Sequence, residues 1–207
     1  MTRFHLPGIL AMAIIVLASN ILVQFRLGPW LTWGAVTYPL AFLVTDVMNR
    51  LYGPAAARRV VFAGFVTGIG ASLVGTQITG EFGPLVTLRI ALGSGTAFLT
   101  AQLLDVTIFD RLRAGRWWRA PLVSSFFGSL VDTALFFSIA FSAALTVIQP
   151  GADVGWANAP LPLLGLGPVV PLWVSLATAD WMVKLALAAL SLVPFRLITG
   201  RIGPAAG

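Results

Sequence analysis

The chain of 207 residues has no cysteine and one histidine, His5. These shortages exclude disulfides, thiol catalysis and metal sites built from Cys or His. Charge is also scarce. Asp, Glu, Lys and Arg make up 10% of the residues, where a soluble domain carries about 25%. Hydrophobic residues reach 58% and mean hydropathy is +0.93. So little charge cannot wrap so much apolar mass in a wetted surface, and the bilayer must act as the solvent. No Ser-His-Asp set, metal cluster or phosphate-cradling glycine loop is present, so no enzyme chemistry, cofactor or metal is expected.

What the sequence does have is a series of apolar stretches, at roughly 7–26, 32–52, 60–79, 87–109, 120–148 and 168–197. Each is near the length of about 20 residues that crosses a hydrocarbon core. They predict an all-α fold, an integral membrane bundle of six transmembrane helices, as a single transmembrane domain over residues 1–207. Between Gly151 and Gly167 the chain is rich in glycine and proline, which predicts either an exposed loop or a broken half-helix re-entering the membrane. The first stretch is long for a signal peptide and lacks a small-residue cleavage site, so it reads as a retained helix.

Net charge is +6, from 13 Lys and Arg against 7 Asp and Glu. With the N-terminus in the cytoplasm, ten arginines from Arg3 to Arg201 fall on the cytoplasmic side, among them Arg50, Arg58, Arg113 and Arg196. Arg26 alone falls outside, on the side whose loops hold the acidic Glu81 and Asp153. The positive-inside rule therefore predicts both termini inside. Trp117 and Trp118 read as an interfacial anchor. The series Gly64, Gly68, Ser72 and Thr76 makes a ridge of small residues suited to close helix packing, within or between subunits.

Charges inside a membrane are costly, and each needs a reason. The second span carries Tyr38, Thr45 and Asn49 on one face and Asp46 with Arg50 on the adjoining one, with Pro39 placed to bend it. The fourth carries Gln102 and Asp105. The fifth carries Ser125, Gly128, Ser129, Asp132 and Phe136, and the last Trp173, Asp180, Lys184 and Ser191. Four such stripes can converge on one internal cavity. Bland alternatives stand beside that reading: an interfacial Asp46–Arg50 pair, Asp105 satisfied by Arg111, and Asp180–Lys184 as a neutralised pair. Arg89, at the outer start of its helix, could snorkel to headgroups as readily as meet an anionic ligand. Asp132 has no basic partner within its own helical turn. Carboxylates, amides, hydroxyls, a lysine and aromatics together suit a flat, hydrogen-bonding ring.

The segments TWGAVTYPLAFLVTDVMNRLYGPAAARR, LGSGTAFLTAQLLDVTIFDRLR, RWW and FFGSLVDTALFFSIAF resemble the bacterial YhhQ family of queuosine precursor transporters, also grouped as a vitamin-uptake family. The resemblance runs from about Trp33 to Lys184. It implies an inner-membrane carrier importing 7-cyano-7-deazaguanine and 7-aminomethyl-7-deazaguanine for tRNA queuosine synthesis. It marks Tyr38, Thr45, Asp46, Arg89, Gln102, Asp105, Asp132, Thr133, Phe137, Asp180 and Lys184, and it departs at Ser129, an asparagine in the enterobacterial members. With the residue reading, it puts Asp132 or Asp180 at the guanidine edge of the base and Lys184 or Gln102 at its carbonyl. Tyr38, Phe136, Phe137 and Trp173 are the stacking candidates.

The nearest rival is a substrate-capture subunit of an energy-coupling-factor vitamin transporter, a class of similar size and fold. Those subunits dock an ATP-driven module through an AxxxA spacing in the first helix, which Ala11, Ala13 and Ala18 do not make. An intramembrane enzyme lacks its nucleophile or metal. A pure scaffold would not need so many polar groups within its spans. The partners expected are the small-molecule 7-deazapurine and membrane lipid, with no nucleic acid and a homo-oligomer left open.

Overall fold

The structure is a computed structural model describing residues 5–80 and 83–202, the side chains of residues 201 and 202 excepted. Arg3, Glu81 and the Arg201 side chain, part of the charge pattern above, lie outside the described residues. The helices are α1 (Leu6–Leu22), α2 (Trp33–Thr37), α3 (Leu40–Tyr52), α4 (Pro54–Gln77), α5 (Leu88–Leu112), α6 (Arg119–Phe141) and α7 (Leu172–Ile202). Helices α4 to α7 are long and apolar enough to cross a membrane, and α1 is a shorter apolar helix of 17 residues. Three antiparallel ribbons of two short strands join them: β1 (Arg26–Leu27) with β2 (Leu31–Thr32), β3 (Thr79–Gly80) with β4 (Gly83–Pro84), and β5 (Pro160–Pro162) with β6 (Val169–Pro171).

The second predicted span forms as two helices in line. Pro39 has no N–H to donate, so α2 ends at Thr37 and α3 begins at Leu40. Tyr38 and Pro39 keep helical dihedrals (φ −58°, ψ −40° and φ −60°, ψ −18°), so the chain bends here without turning back. Gly53, at φ +82°, then makes the sharp turn into α4, whose first residue is Pro54.

The fifth predicted span, drawn to 148, is α-helical only to Phe141. Ser142 takes extended backbone (ψ 132°), and Ala143–Ile148 wind as 3-10 turns. The glycine- and proline-rich stretch after it holds no half-helix. It forms single 3-10 turns at Trp156–Asn158 and Leu163–Gly165 and the ribbon β5–β6. Asn158 ties this loop to the end of α6: its Nδ2 donates to the Phe141 carbonyl at 2.9 Å, and its Oδ1 accepts from the Ala143 N–H at 3.2 Å.

Small residues set the packing. The ridge on α4 faces α1 within this same chain: a Cβ added at Gly64 would stand 2.7 Å from Met12 Cγ, and one at Gly68 3.4 Å from Val16. Gly93 brings α5 against the backbone of α6, where a Cβ would meet the Phe136 carbonyl at 3.3 Å. The core between α1, α3, α4 and α5 holds Met12, Val16, Met48, Val60, Val61, Phe98 and Val106, all buried. Outward-facing apolar residues such as Ile14, Val66 and Leu190, each 65–69% exposed, suit a lipid surround rather than water.

Candidate functional site

The polar residues of the spans gather into two clusters rather than one cavity. The first lies near mid-helix, where α2 ends and α6 meets α7. Lys184 is at its centre. Its Nζ donates to Asp132 Oδ2 on α6 at 2.6 Å and to Thr133 Oγ1 at 3.0 Å, and it pairs with Asp180 Oδ2, one turn back on α7, at 2.5 Å. The Thr133 hydroxyl donates to Asp180 Oδ2 at 2.8 Å, and the Tyr38 hydroxyl donates to Asp132 Oδ1 at 3.0 Å. The Tyr38 ring also lies 5.5 Å from the ammonium. Asp132, Thr133, Asp180 and Lys184 are all at most 8% exposed.

The kink at Pro39 is part of this arrangement, because it sets Tyr38 at the junction of α2 and α3, facing α6. One ammonium stands between two carboxyl groups here. The bonds to Asp180 converge on Oδ2, and Asp180 is the most exposed of the three charged members. Asp132, unpartnered within its own helix, finds its cation on α7.

The second cluster lies nearer the ends of α3 and α5 and the start of α6. Thr45 Oγ1 donates to Gln102 Oε1 at 2.6 Å, and Asn49 Nδ2 donates to the Val106 carbonyl at 3.0 Å. Asp46 accepts from Ser124 at 3.3 Å and Ser125 at 3.5 Å, and Asp105 lies beside Asp46. Gly128 opens the space for this meeting, since a Cβ there would stand 3.3 Å from Asp105 Cβ and 2.8 Å from Phe42 Cε1. Both oxygens of Asp105, Asn49 Oδ1 and Gln102 Nε2 have no hydrogen-bond partner, although all three residues are fully buried.

Three of the bland alternatives do not form. Asp46 does not pair with Arg50, which instead donates to the Arg113 carbonyl at 2.5 Å, closing the end of α5 onto α3. Arg111 is exposed and leaves Asp105 unmet. Arg89 does not snorkel: it is buried, with Nε on the Ile139 carbonyl at 3.0 Å and Nη2 on the Ser142 carbonyl at 2.6 Å. Arg89 thereby caps the end of α6: the Ile139 carbonyl belongs to its last turn, and the Ser142 carbonyl, which also accepts the Leu145 N–H, follows it.

Of the stacking candidates, Tyr38 touches the lysine cluster, with Phe42 and Phe98 edge-on to it at 6.5 and 6.2 Å. Phe136 and Phe137 lie a turn further along α6, in an aromatic run with Phe141 and Trp156. Trp173 is half-buried at the start of α7. A narrow cavity of about 10 Å³, space for about one water, joins the two clusters and is lined by Pro39, Phe42, Asp46, Ser125, Ser129 and Lys184 among others. A purine-sized ring does not fit in so small a space, so the arrangement is closed to one at this point.

Ser124 was missing from the sequence reading, which began the α6 stripe at Ser125. Its signal was present in the steps of four from Ser124 to Gly128 to Asp132. Thr133 entered only through the resemblance, because a threonine adjacent to an aspartate carries no spacing signal of its own.

Set against known proteins, residues 32–199 match the model of a family described as "Putative vitamin uptake transporter". The chain is 39% identical over 155 residues to the "Queuosine precursor transporter" of Escherichia coli, covering 68% of this chain and 67% of that protein. It is 37% identical over 140 residues to a "Probable queuosine precursor transporter" of Haemophilus influenzae, covering 61% of this chain and 60% of that one. With a "Probable queuosine precursor transporter" of Bacillus subtilis it shares 29% identity over 181 residues, covering 78% of this chain and 68% of that one. No solved structure matches.

Proposed function

This chain belongs to the vitamin uptake transporter family, and from that premise we propose that it imports queuosine precursors, 7-cyano-7-deazaguanine and 7-aminomethyl-7-deazaguanine, across the bacterial inner membrane. The observation that carries the reading is the 39% identity to a queuosine precursor transporter. It is a transporter and not an enzyme.

The lysine cluster suits the substrate chemically. A 7-deazaguanine presents a ring N–H and an exocyclic amine side by side, which one carboxylate accepts, and a carbonyl oxygen that an ammonium meets. Asp180 Oδ1, the oxygen that takes neither the Lys184 nor the Thr133 bond, is the free acceptor. Lys184 supplies the donor to the carbonyl once opening frees one of its three N–H groups from Asp132, Thr133 or Asp180, and Tyr38 the ring face. The closed arrangement opens along α7 to admit the base.

The remaining architecture belongs to the same proposal. With the kinked α2–α3 pair counted as one span, α1 to α7 give six spans within one transmembrane domain, with both termini cytoplasmic. The fold is similar to that of energy-coupling-factor substrate-capture subunits. The absence of an AxxxA spacing in α1 supports a solitary carrier over docking to an ATP-driven module.

The test is uptake of labelled 7-cyano-7-deazaguanine into membrane vesicles from a host without its own carrier. Uptake competed by the aminomethyl base and not by adenine is expected, with Asp180→Asn lowering binding affinity roughly 10- to 100-fold for the loss of a charged acceptor. Vesicles no better than empty ones, with the protein in the membrane, refute the assignment.

A further inference from the structure

Four aspartates lie inside the bundle, and only two of them face a cation. Asp132 and Asp180 share Lys184. Asp46 and Asp105 stand side by side between α3, α5 and α6 with no such partner. Arg50, one turn beyond Asp46, is turned to the Arg113 carbonyl. On α5, Asp110 pairs with Arg113 and Arg111 is exposed. Helix α6 meets the pair with Ser124 and Ser125 and has no charged side chain between Arg119 and Asp132. Helix α4 carries Arg58 and Arg59 exposed near its start. Helix α7 brings Lys184 to the narrow cavity that Asp46 also lines, but that ammonium is held by its own two carboxylates.

Two neighbouring carboxylates in a dry interior cannot both stay charged without a counter-ion. A second, independent observation points to what is missing. Asn49, three residues along α3 from Asp46, is fully buried and leaves its Oδ1 without a donor, and so are both oxygens of Asp105. The orphaned acceptors of this cluster call for a positive charge or a hydrogen, and its one orphaned donor, the neutral amide Nε2 of Gln102, makes no bond to either oxygen of Asp105. The adjoining space, about 10 Å³, holds about one water and not a hydrated metal ion. Two serine hydroxyls face Asp46 and none faces Asp105, so one hydrogen held between the two carboxyl groups is what this burial requires.

We propose that the Asp46–Asp105 pair is a proton-coupling site: it takes up one exchangeable proton and carries it across together with the substrate. The proposal rests on the transport reading above. Its logic is differential binding. The closed arrangement buries the pair completely, and only the singly charged, protonated pair tolerates that burial. An open, wetted arrangement tolerates two charges. The proton therefore binds the closed form better, and the loaded carrier closes with it on board.

The experiment uses the whole protein in proteoliposomes with labelled 7-cyano-7-deazaguanine. Counterflow exchange without gradients reports transport itself, and accumulation under a gradient reports coupling. With the outside one pH unit more acidic, the wild type is expected to concentrate the base severalfold, up to about tenfold for one proton per neutral molecule, and a protonophore to abolish this. Asp105→Asn and Asp46→Asn, tested separately, are expected to keep counterflow and lose accumulation. A wild type that exchanges but only equilibrates under the pH gradient overturns the proposal. So does accumulation driven by a sodium gradient instead, or two exchanging variants that accumulate as the wild type does. Absence of exchange by the wild type overturns the transport reading, and the coupling with it.

Discussion

The Lys184 ammonium lies 2.6 Å from Asp132 Oδ2, although the two residues stand 52 positions apart on different helices. That contact fastens α6 to α7 at mid-helix, and through the Tyr38 hydroxyl it also draws in the kinked junction of α2 and α3. The cation of the proposed transport site is thus also the tie between α6, α7 and the α2–α3 junction.

Removing that cation leaves two buried carboxylates facing each other. Lys184→Met is expected to destabilise the folded protein by about 3–5 kcal/mol, the range for breaking a buried ion pair by deleting one partner. Thermal unfolding in detergent measures it. Lys184→Met with Asp132→Asn should recover part of the loss, because one orphaned charge goes with its partner. A single variant as stable as the wild type contradicts the role given to Lys184.

The glycines of the bundle should separate by what surrounds them. A Cβ at Gly128 would meet Phe42 at 2.8 Å and Asp105 at 3.3 Å, whereas one at Gly70 would meet nothing within 4 Å. Gly128→Val is expected to cost about 1–3 kcal/mol through overpacking, and Gly70→Ala to stabilise by about 0.4–1 kcal/mol. The order of the two melting temperatures relative to wild type is the check.

The natural absence of cysteine makes topology directly testable. Gly115→Cys, in the arginine-rich turn between α5 and α6, and Gly155→Cys, in the loop before β5, are both exposed. A membrane-impermeant maleimide applied to intact spheroplasts is expected to label residue 155 at once and residue 115 only after permeabilisation. The reverse pattern contradicts the proposed orientation.

The helices were legible because their apolar runs are long and their breaks are chemical. Pro39 announced the bend in the second span, and the glycine and proline after Gly151 announced the loss of helix. The extent of α6 was not legible: residues 143–148 are as apolar as the helix before them, and the backbone where it ends is held by distant residues, Arg89 at the Ser142 carbonyl and Asn158 at the Phe141 carbonyl and the Ala143 N–H.

The site shows the same division. Asp180 with Lys184 is a one-turn pair that spacing reveals. Asp132 with Lys184, Arg89 with the end of α6, and Asp46 with Ser124 depend on which helices become neighbours, and no local pattern specifies that. Spacing also misled at Asp46 and Arg50, where the unmet carbonyl of Arg113 at the end of α5 takes the guanidinium instead.

The most direct measurement is queuosine in the tRNA of a host that lacks both precursor synthesis and its own carrier, fed nanomolar 7-cyano-7-deazaguanine and expressing this chain. Queuosine should return with the wild type, and far less of it with Asp180→Asn at equal membrane expression. No return with the wild type, despite confirmed insertion in the membrane, contradicts the claim that this protein imports a queuosine precursor.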